Sequence, residues 1–374
     1  MRKNSIDLWL VTAFFLLILL GIIMIYSASA YYAEGHFGDN FFFIKRHLLW
    51  LFLGSIAMVF AYNFPYQRMI GRTWFLLLVG LAILFYLAFM QRGRWVSIGP
   101  IHFQGVDVAK LALIFFLADS LSRKEVELHD YNKGFFPHFI YVFIFGFLIV
   151  RQPDFSSMVM LLVIGFAILF VSPVKIWHLA LTGLATVPLL ILAIWLNPYM
   201  VNRITTEKAY QVYQSLISFG AGGITGVGYA ESKQKLFYLP EAHNDFIFSI
   251  IGEEWGLIGS IIVVLLFLII LYRGIKIANR TTDRFSFYLT VGITANFVFY
   301  AMTHMMVTLN IVPPTGLPLP FISYGGTFMV FSCIYAGLLL NISKKTLSET
   351  SIRQQRFSQR ATENLQLRKL KYLQ

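Results

Sequence analysis

Apolar runs of roughly 17 to 25 residues are long enough to cross a bilayer as a helix, and this chain repeats them along its whole length. Ten are read, at residues 8–30, 46–62, 74–90, 106–121, 138–151, 157–172, 176–196, 246–272, 286–308 and 325–342. Composition agrees: 57% of the 374 residues are hydrophobic and 13% charged, where a soluble domain carries about a quarter charged. The expectation is an all-α polytopic membrane protein of about ten transmembrane helices, with one large extracytoplasmic loop between helices 7 and 8. Residues 1–342 would form a single transmembrane domain and residues 343–374 a basic cytoplasmic tail.

A net charge of +12 suggests nucleic acid, but the placement of the bases argues for topology instead. With a cytoplasmic amino terminus, the inner segments hold 20 Lys and Arg and the outer ones nine, and Lys110 lies inside a span. That bias follows the positive-inside rule and places both termini in the cytoplasm. The tail's bases fit a solvated segment lying near anionic lipid. Cys333, the single cysteine, excludes an intrachain disulfide. The first run ends in "YSASA", like a signal-peptidase site, but Leu8 to Met24 exceeds a signal sequence's core, so the helix is read as retained.

Residues 197–244 make the one long connection at low hydropathy. Loops of that length in compact folds are functional or disordered. Gly220, Gly222, Gly223, Gly226 and Gly228 fall among aromatic and aliphatic residues, which favours a partly ordered lid hugging the membrane.

Titratable groups concentrate where this loop enters the next run, in "LPEAHNDFIFSIIGEEWGLIGS". Asp245 has two readings: a helix N-cap, or a carboxylate at the membrane surface acting as general base. On one continuous helix, Ser249, Gly252, Gly256 and Gly259 would form a close-packing stripe. Glu253 and Glu254 would sit about two turns, or ~12 Å, deeper. Asp107 and Lys110, three apart, suit either an ion pair or a polar cavity for a head group. Arg151 and Asp154 flank Pro153 in a turn. The outer bases Lys45, Arg46, Arg92, Arg94, Arg203, Lys233 and Lys235 are read singly as headgroup anchors, with phosphate binding as the alternative. No zinc spacing, phosphate-binding loop or nucleophile elbow is present.

Taken in order, "YSAS" at Tyr26, "FFFIKRHLLW" at Phe41, "RWVSIG" at Arg94, "RQPDF" at Arg151, "YQVYQSL" at Tyr210, "SKQKLFYLPEAHNDFIFSIIGEEWGLIG" at Ser232 and "PTGLPLPFISYGG" at Pro314 resemble the SEDS family of bacterial cell-wall proteins (FtsW, RodA and SpoVE). The resemblance covers Asp7 to Ser343, and the wording of "FYLPEAHNDFIF" and "KRHLLW" is nearer to FtsW than to RodA. It implies a peptidoglycan glycosyltransferase that polymerises glycan strands from lipid II at the outer face of the cytoplasmic (inner) membrane. Its implied setting is cell division or cell-shape maintenance, beside a class B penicillin-binding protein and divisome or elongasome proteins. It places the catalytic aspartate of "PExHxDF" on Asp245, with Glu241 and His243 of the same motif as substrate-binding candidates.

The implied reaction is an inverting displacement releasing undecaprenyl diphosphate, with Asp245 as general base. Arg203 and Lys235 are the candidates for stabilising the diphosphate, with a divalent cation, Mg or Mn, as a helper to consider. Asp107 and Lys110 are further substrate-binding candidates, although "QGVDVAK" departs from the family's "QPSE.AK". Tyr300 and His304 stand where Gln and Asn are common, and His304 is assigned no role. Two rival functions stay in view: a lipid II flippase, and a non-catalytic scaffold for the penicillin-binding protein. The richest polar cluster lies at one surface and no internal repeat is evident, unlike many transporters.

Overall fold

The computed structural model describes residues 6–91, 93–99, 101–195, 208–236 and 238–347. Helices dominate. α1 (Leu8–Phe37) starts where Asp7 accepts the amide of Leu10 and ends at Gly38 in the left-handed conformation. α2 (Phe42–Asn63) returns beside it, and α3 (Thr73–Phe85) continues as a π-helical turn to Gln91. A short antiparallel hairpin follows, β1 (Trp95–Ile98) and β2 (Ile101–Gln104), with Trp95 opposite Gln104. It leads directly into α4 (Gly105–Arg123).

α5 (Phe136–Val150) and α6 (Phe155–Phe170) are joined by a tight turn, and Asp154 caps α6 through the amide of Ser157. α7 (Ile176–Trp195) carries Pro188 inside it. Beyond it come α8 (Lys208–Gly222), α9 (Ile247–Glu254), α10 (Gly256–Ala278), α11 (Arg284–Thr308) and α12 (Gly326–Leu347). α11 and α12 are each 67% buried over their most apolar window and α2 only 17%, so the first two form the centre and α2 the lipid-facing edge. α11 packs against α4, α6 and α10.

Among the described residues, seven helices are long and apolar enough to cross a membrane: α1, α2, α3 with its π extension, α5 with the turn before it, α10, α11 and α12. α6 and part of α7 are shorter apolar helices. α4 carries Asp107, Lys110 and Asp119 buried against its neighbours, as intramembrane charges must be. The chain is a multi-pass, all-α membrane protein. The last helix runs on to Leu347, beyond the expected boundary at 342; residues 348–374 lie outside the described residues.

Three expectations change. Residues 197–244 contain a helix, α8, whose Val212, Ser215 and Ser218 are buried while Tyr213, Leu216 and Ile217 are exposed. Ser215 Oγ donates to the carbonyl of Thr308, tying α8 to α11. The run 246–272 is not one helix: it breaks at Gly256, which has φ +64. The glycines of the loop are not a lid, because they dock on that break. The amides of Val227 and Gly228 donate to the carbonyls of Glu253 and Glu254, and those of Leu257 and Ile258 donate to the carbonyls of Gly223 and Ile224. Backbone groups freed by a break at membrane depth need such partners. The small-residue stripe is therefore split: a ring of Phe219 closes over Gly252, and Gly256 faces Gly226.

Candidate active site

The segment from Ser232 to Phe246 is anchored by the two acids of α9. Glu253 accepts from Ser232 Oγ at 2.6 Å and from the amide of Lys233 at 2.9 Å. Glu254 accepts from Ser27 Oγ at 2.6 Å and from Lys235 Nζ at 2.7 Å. These carboxylates hold the loop on α9 and α1. The chain then turns at Glu241, whose φ is +55, and the Glu241 carbonyl accepts the amides of both Asn244 and Asp245. The turn 319–324 braces it from the other side: the amide of Tyr324 donates to the carbonyl of His243, and Ser323 Oγ to that of Asn244.

Asp245 is half-buried and precedes the N-cap position of the helix after it. Phe246 occupies the N-cap position, and its own side chain makes no capping bond. The N-cap position expected at Asp245 thus falls one residue later. Asp245 lines a polar cavity of about 190 Å³ with Asn244, Arg94, Gln104, Asp154, Ser157, Tyr300 and Thr315. The β1–β2 hairpin delivers the opposite wall. Gln104 Nε2 donates to Asp154 at 2.9 Å, and the Arg94 guanidinium bonds the carbonyl of Pro153.

Beneath the cavity, Lys110 Nζ lies 2.6 Å from the Tyr300 hydroxyl and 2.8 Å from Asp107. It also sits over the Tyr300 ring, 4.2 Å from its centroid. Asp107 and Lys110 are only 2% exposed, so they support the cavity through Tyr300 and do not line it.

Lys235, Glu241 and His243 line a separate cavity of about 170 Å³ beside α1. Lys235 is no free cation for a phosphate: its ammonium is matched by Glu254. Burial holds His243 below the usual histidine range, partly offset by Glu241. Arg203 lies outside the described residues. The Asp245 cavity thus gathers Arg94, read earlier as a headgroup anchor, Asp154, read as a turn residue, and Tyr300 and Gln104, given no role. Their separation along the chain hid the cluster. Only the polar residue types near each span end hinted at it.

No protein-built cation cage is apparent: among the described residues no three His, Cys, Asp or Glu side chains are placed to hold a metal ion. Asp154 is already engaged by Gln104 and the amide of Ser157. A magnesium-like ion needs near-octahedral oxygen ligation, and the acids lining this cavity are two, Asp154 and Asp245.

The fold and site define a class: a multi-pass helical membrane protein with a carboxylate-bearing polar cavity at one end of its bundle. A family model described as "Cell cycle protein" (FtsW, RodA, SpoVE) matches residues 7–348, and the chain belongs to that family. It is 36% identical to stage V sporulation protein E of Bacillus subtilis, over 92% of this chain and 98% of that one. It is 33% identical to the probable peptidoglycan glycosyltransferase FtsW of Geobacter sp., again over 92% and 98%. A chain of a solved complex, described as "Structural coordination of polymerization and crosslinking by a peptidoglycan synthase complex", superposes with TM-score 0.74 at 25% identity, covering 91% of this chain and 98% of that one. Thermus thermophilus rod shape determining protein RodA shares the fold with TM-score 0.67 at 21% identity, covering 92% and 98%.

Proposed function

We propose that this chain is a peptidoglycan glycosyltransferase that polymerises lipid II at the outer face of the cytoplasmic membrane. The observation that carries the reading is Asp245: a half-buried carboxylate sharing a polar cavity with Arg94. The family membership and the glycosyltransferase relatives support it.

In the reaction, the 4-hydroxyl of N-acetylglucosamine on one substrate attacks the anomeric carbon of N-acetylmuramic acid on the other. Asp245 takes the hydroxyl proton as the new C–O bond forms. The bond to the diphosphate breaks with inversion, and undecaprenyl diphosphate leaves as an anion. Arg94 is the cation for that developing charge, because a guanidinium offers five donors and only part of that set is spent on Pro153. Asp107 and Lys110 act from below, fixing Tyr300 in the cavity floor.

Both termini are placed in the cytoplasm by the charge bias, with residues 231–246 outside. The partner is a class B penicillin-binding protein within the division or elongation machinery; the solved synthase complex supports an assembly of this kind.

The test is lipid II polymerisation by purified protein in liposomes, with and without the cognate penicillin-binding protein. Asp245→Asn should lower the rate by about 10²- to 10⁴-fold, the range of a lost general base. Arg94→Ala should lower kcat by about 10²- to 10³-fold. Polymerisation that persists in a folded Asp245→Asn protein would remove the general-base assignment.

A further inference from the structure

Residues 240–245 separate two cavities: Asn244 and Asp245 face one, while Pro240 to His243 face the other, beside α1. We propose that this second cavity is a saccharide subsite, taking an N-acetylhexosamine unit of the glycan next to the reacting one; this rests on the glycosyl-transfer reading above.

Its lining is specific. Tyr32 stacks on His36 at 4.1 Å between ring centroids and lies 5.8 Å from His243, so aromatic faces form one side. Lys235 and Glu241 bring charged groups to the other. A phosphate is disfavoured, because Lys235 is 2.7 Å from Glu254 and Glu241 adds a negative charge near His243. A metal ion is disfavoured by the lack, among the described residues, of a three-ligand cluster. A lipid tail would leave the carboxylate of Glu241 against hydrocarbon.

A pyranose satisfies both sides. Its C–H face carries weak positive charge and packs on the negative face of an aromatic ring, and its hydroxyl and acetamido groups bond polar side chains. With about 170 Å³, the cavity has room for one ring and not for a strand. The Glu241 carbonyl accepts the amides of Asn244 and Asp245 at 3.0 and 3.1 Å, so a sugar held against Glu241 and His243 sits at a fixed offset from the general base. That fixed spacing is what positioning of a substrate requires.

Two measurements on the full chain in liposomes test this. In lipid II polymerisation, Tyr32→Leu should raise KM by about 3- to 10-fold, the size of one lost aromatic stack, with kcat nearly unchanged; Tyr32→Phe should restore KM. Glu241→Gln, on an exposed side chain, should raise KM likewise and serves if Tyr32→Leu does not fold. Independently of turnover, the tetramer of N-acetylglucosamine should bind Asp245→Asn protein in saturation-transfer NMR, and the signal should vanish when Tyr32→Leu or Glu241→Gln is added. Polymerisation with no binding of the tetramer, or with binding indifferent to both substitutions, overturns the subsite and leaves the reaction standing. Binding that depends on Tyr32 or Glu241 in a protein that never polymerises supports a saccharide site and overturns the glycosyl-transfer reading instead.

Discussion

Glu254 is buried with one oxygen accepting from Ser27 and Lys235, and Lys235 is itself buried. A buried pair is costly to break from one side, because the surviving charge is left without a partner. Glu254→Gln should therefore destabilise the protein by about 3–5 kcal/mol, while Lys235→Met combined with Glu254→Leu should cost clearly less than the two single changes added together. Thermal unfolding of the four proteins in detergent gives the coupling, and strict additivity would show that the pair does not hold the loop. His243 supplies a second prediction. Burial lowers its proton affinity relative to the unfolded chain's value near 6.5. Below that value the unfolded state binds more protons, so the contribution is intact above 6.5 and is lost as pH falls toward the folded value. His243→Gln should flatten the fall in melting temperature between about pH 7 and about pH 5. At this scale the sequence was legible only where a motif was contiguous. Asp245 stood out in "PEAHND", whereas Arg94, Gln104, Asp154 and Tyr300 meet it only through long-range folding.

The break between α9 and α10 is built from backbone. A Cβ on Gly226, where φ is +83, would lie 2.1 Å from the carbonyl oxygen of Glu254; one on Gly256 would lie 2.4 Å from the amide nitrogen of Gly226. Neither neighbour can swing aside, as a side chain would. Gly226→Ala should lower stability by at least about 1–3 kcal/mol, as overpacking does, with a broadened gel-filtration profile and reduced polymerisation. A protein unchanged in both measurements would mean that the clamp does not form. Hydropathy did not reveal this break, because residues 246–272 average as one apolar run. The local signs were Glu253 and Glu254 in mid-run, followed by Trp255 and Gly256, and they point to a break only once a partner for the freed carbonyls is known. The helix α8 was hidden for a different reason: two of its buried side chains, Ser215 and Ser218, are small and polar, so it reads as loop.

Across the whole molecule, the spans were the most legible feature, since each is a local property of length and composition. α4 was legible despite its charges because its apolar residues still run nearly its full length. The proposed orientation makes Glu231 outward and Val126 inward, and both are exposed. A membrane-impermeant maleimide should label Glu231→Cys in intact cells and Val126→Cys only after permeabilisation, with the native Cys333 silent because it is buried; the reverse pattern would invert the topology. The clamp at Gly226 and Gly256 also bears on how the chain enters the bilayer. α10 alone, 23 residues without an acid, is long enough for the insertion machinery to recognise. α9, with Glu253 and Glu254 in eight residues, is not. Because residues 208–228 and Lys235 are synthesised before α9, the carbonyl partners and the counter-charge are already waiting when its acids emerge. The apolar length of α10 thus lets it insert on its own, while α9 folds back onto groups that the ribosome has already delivered.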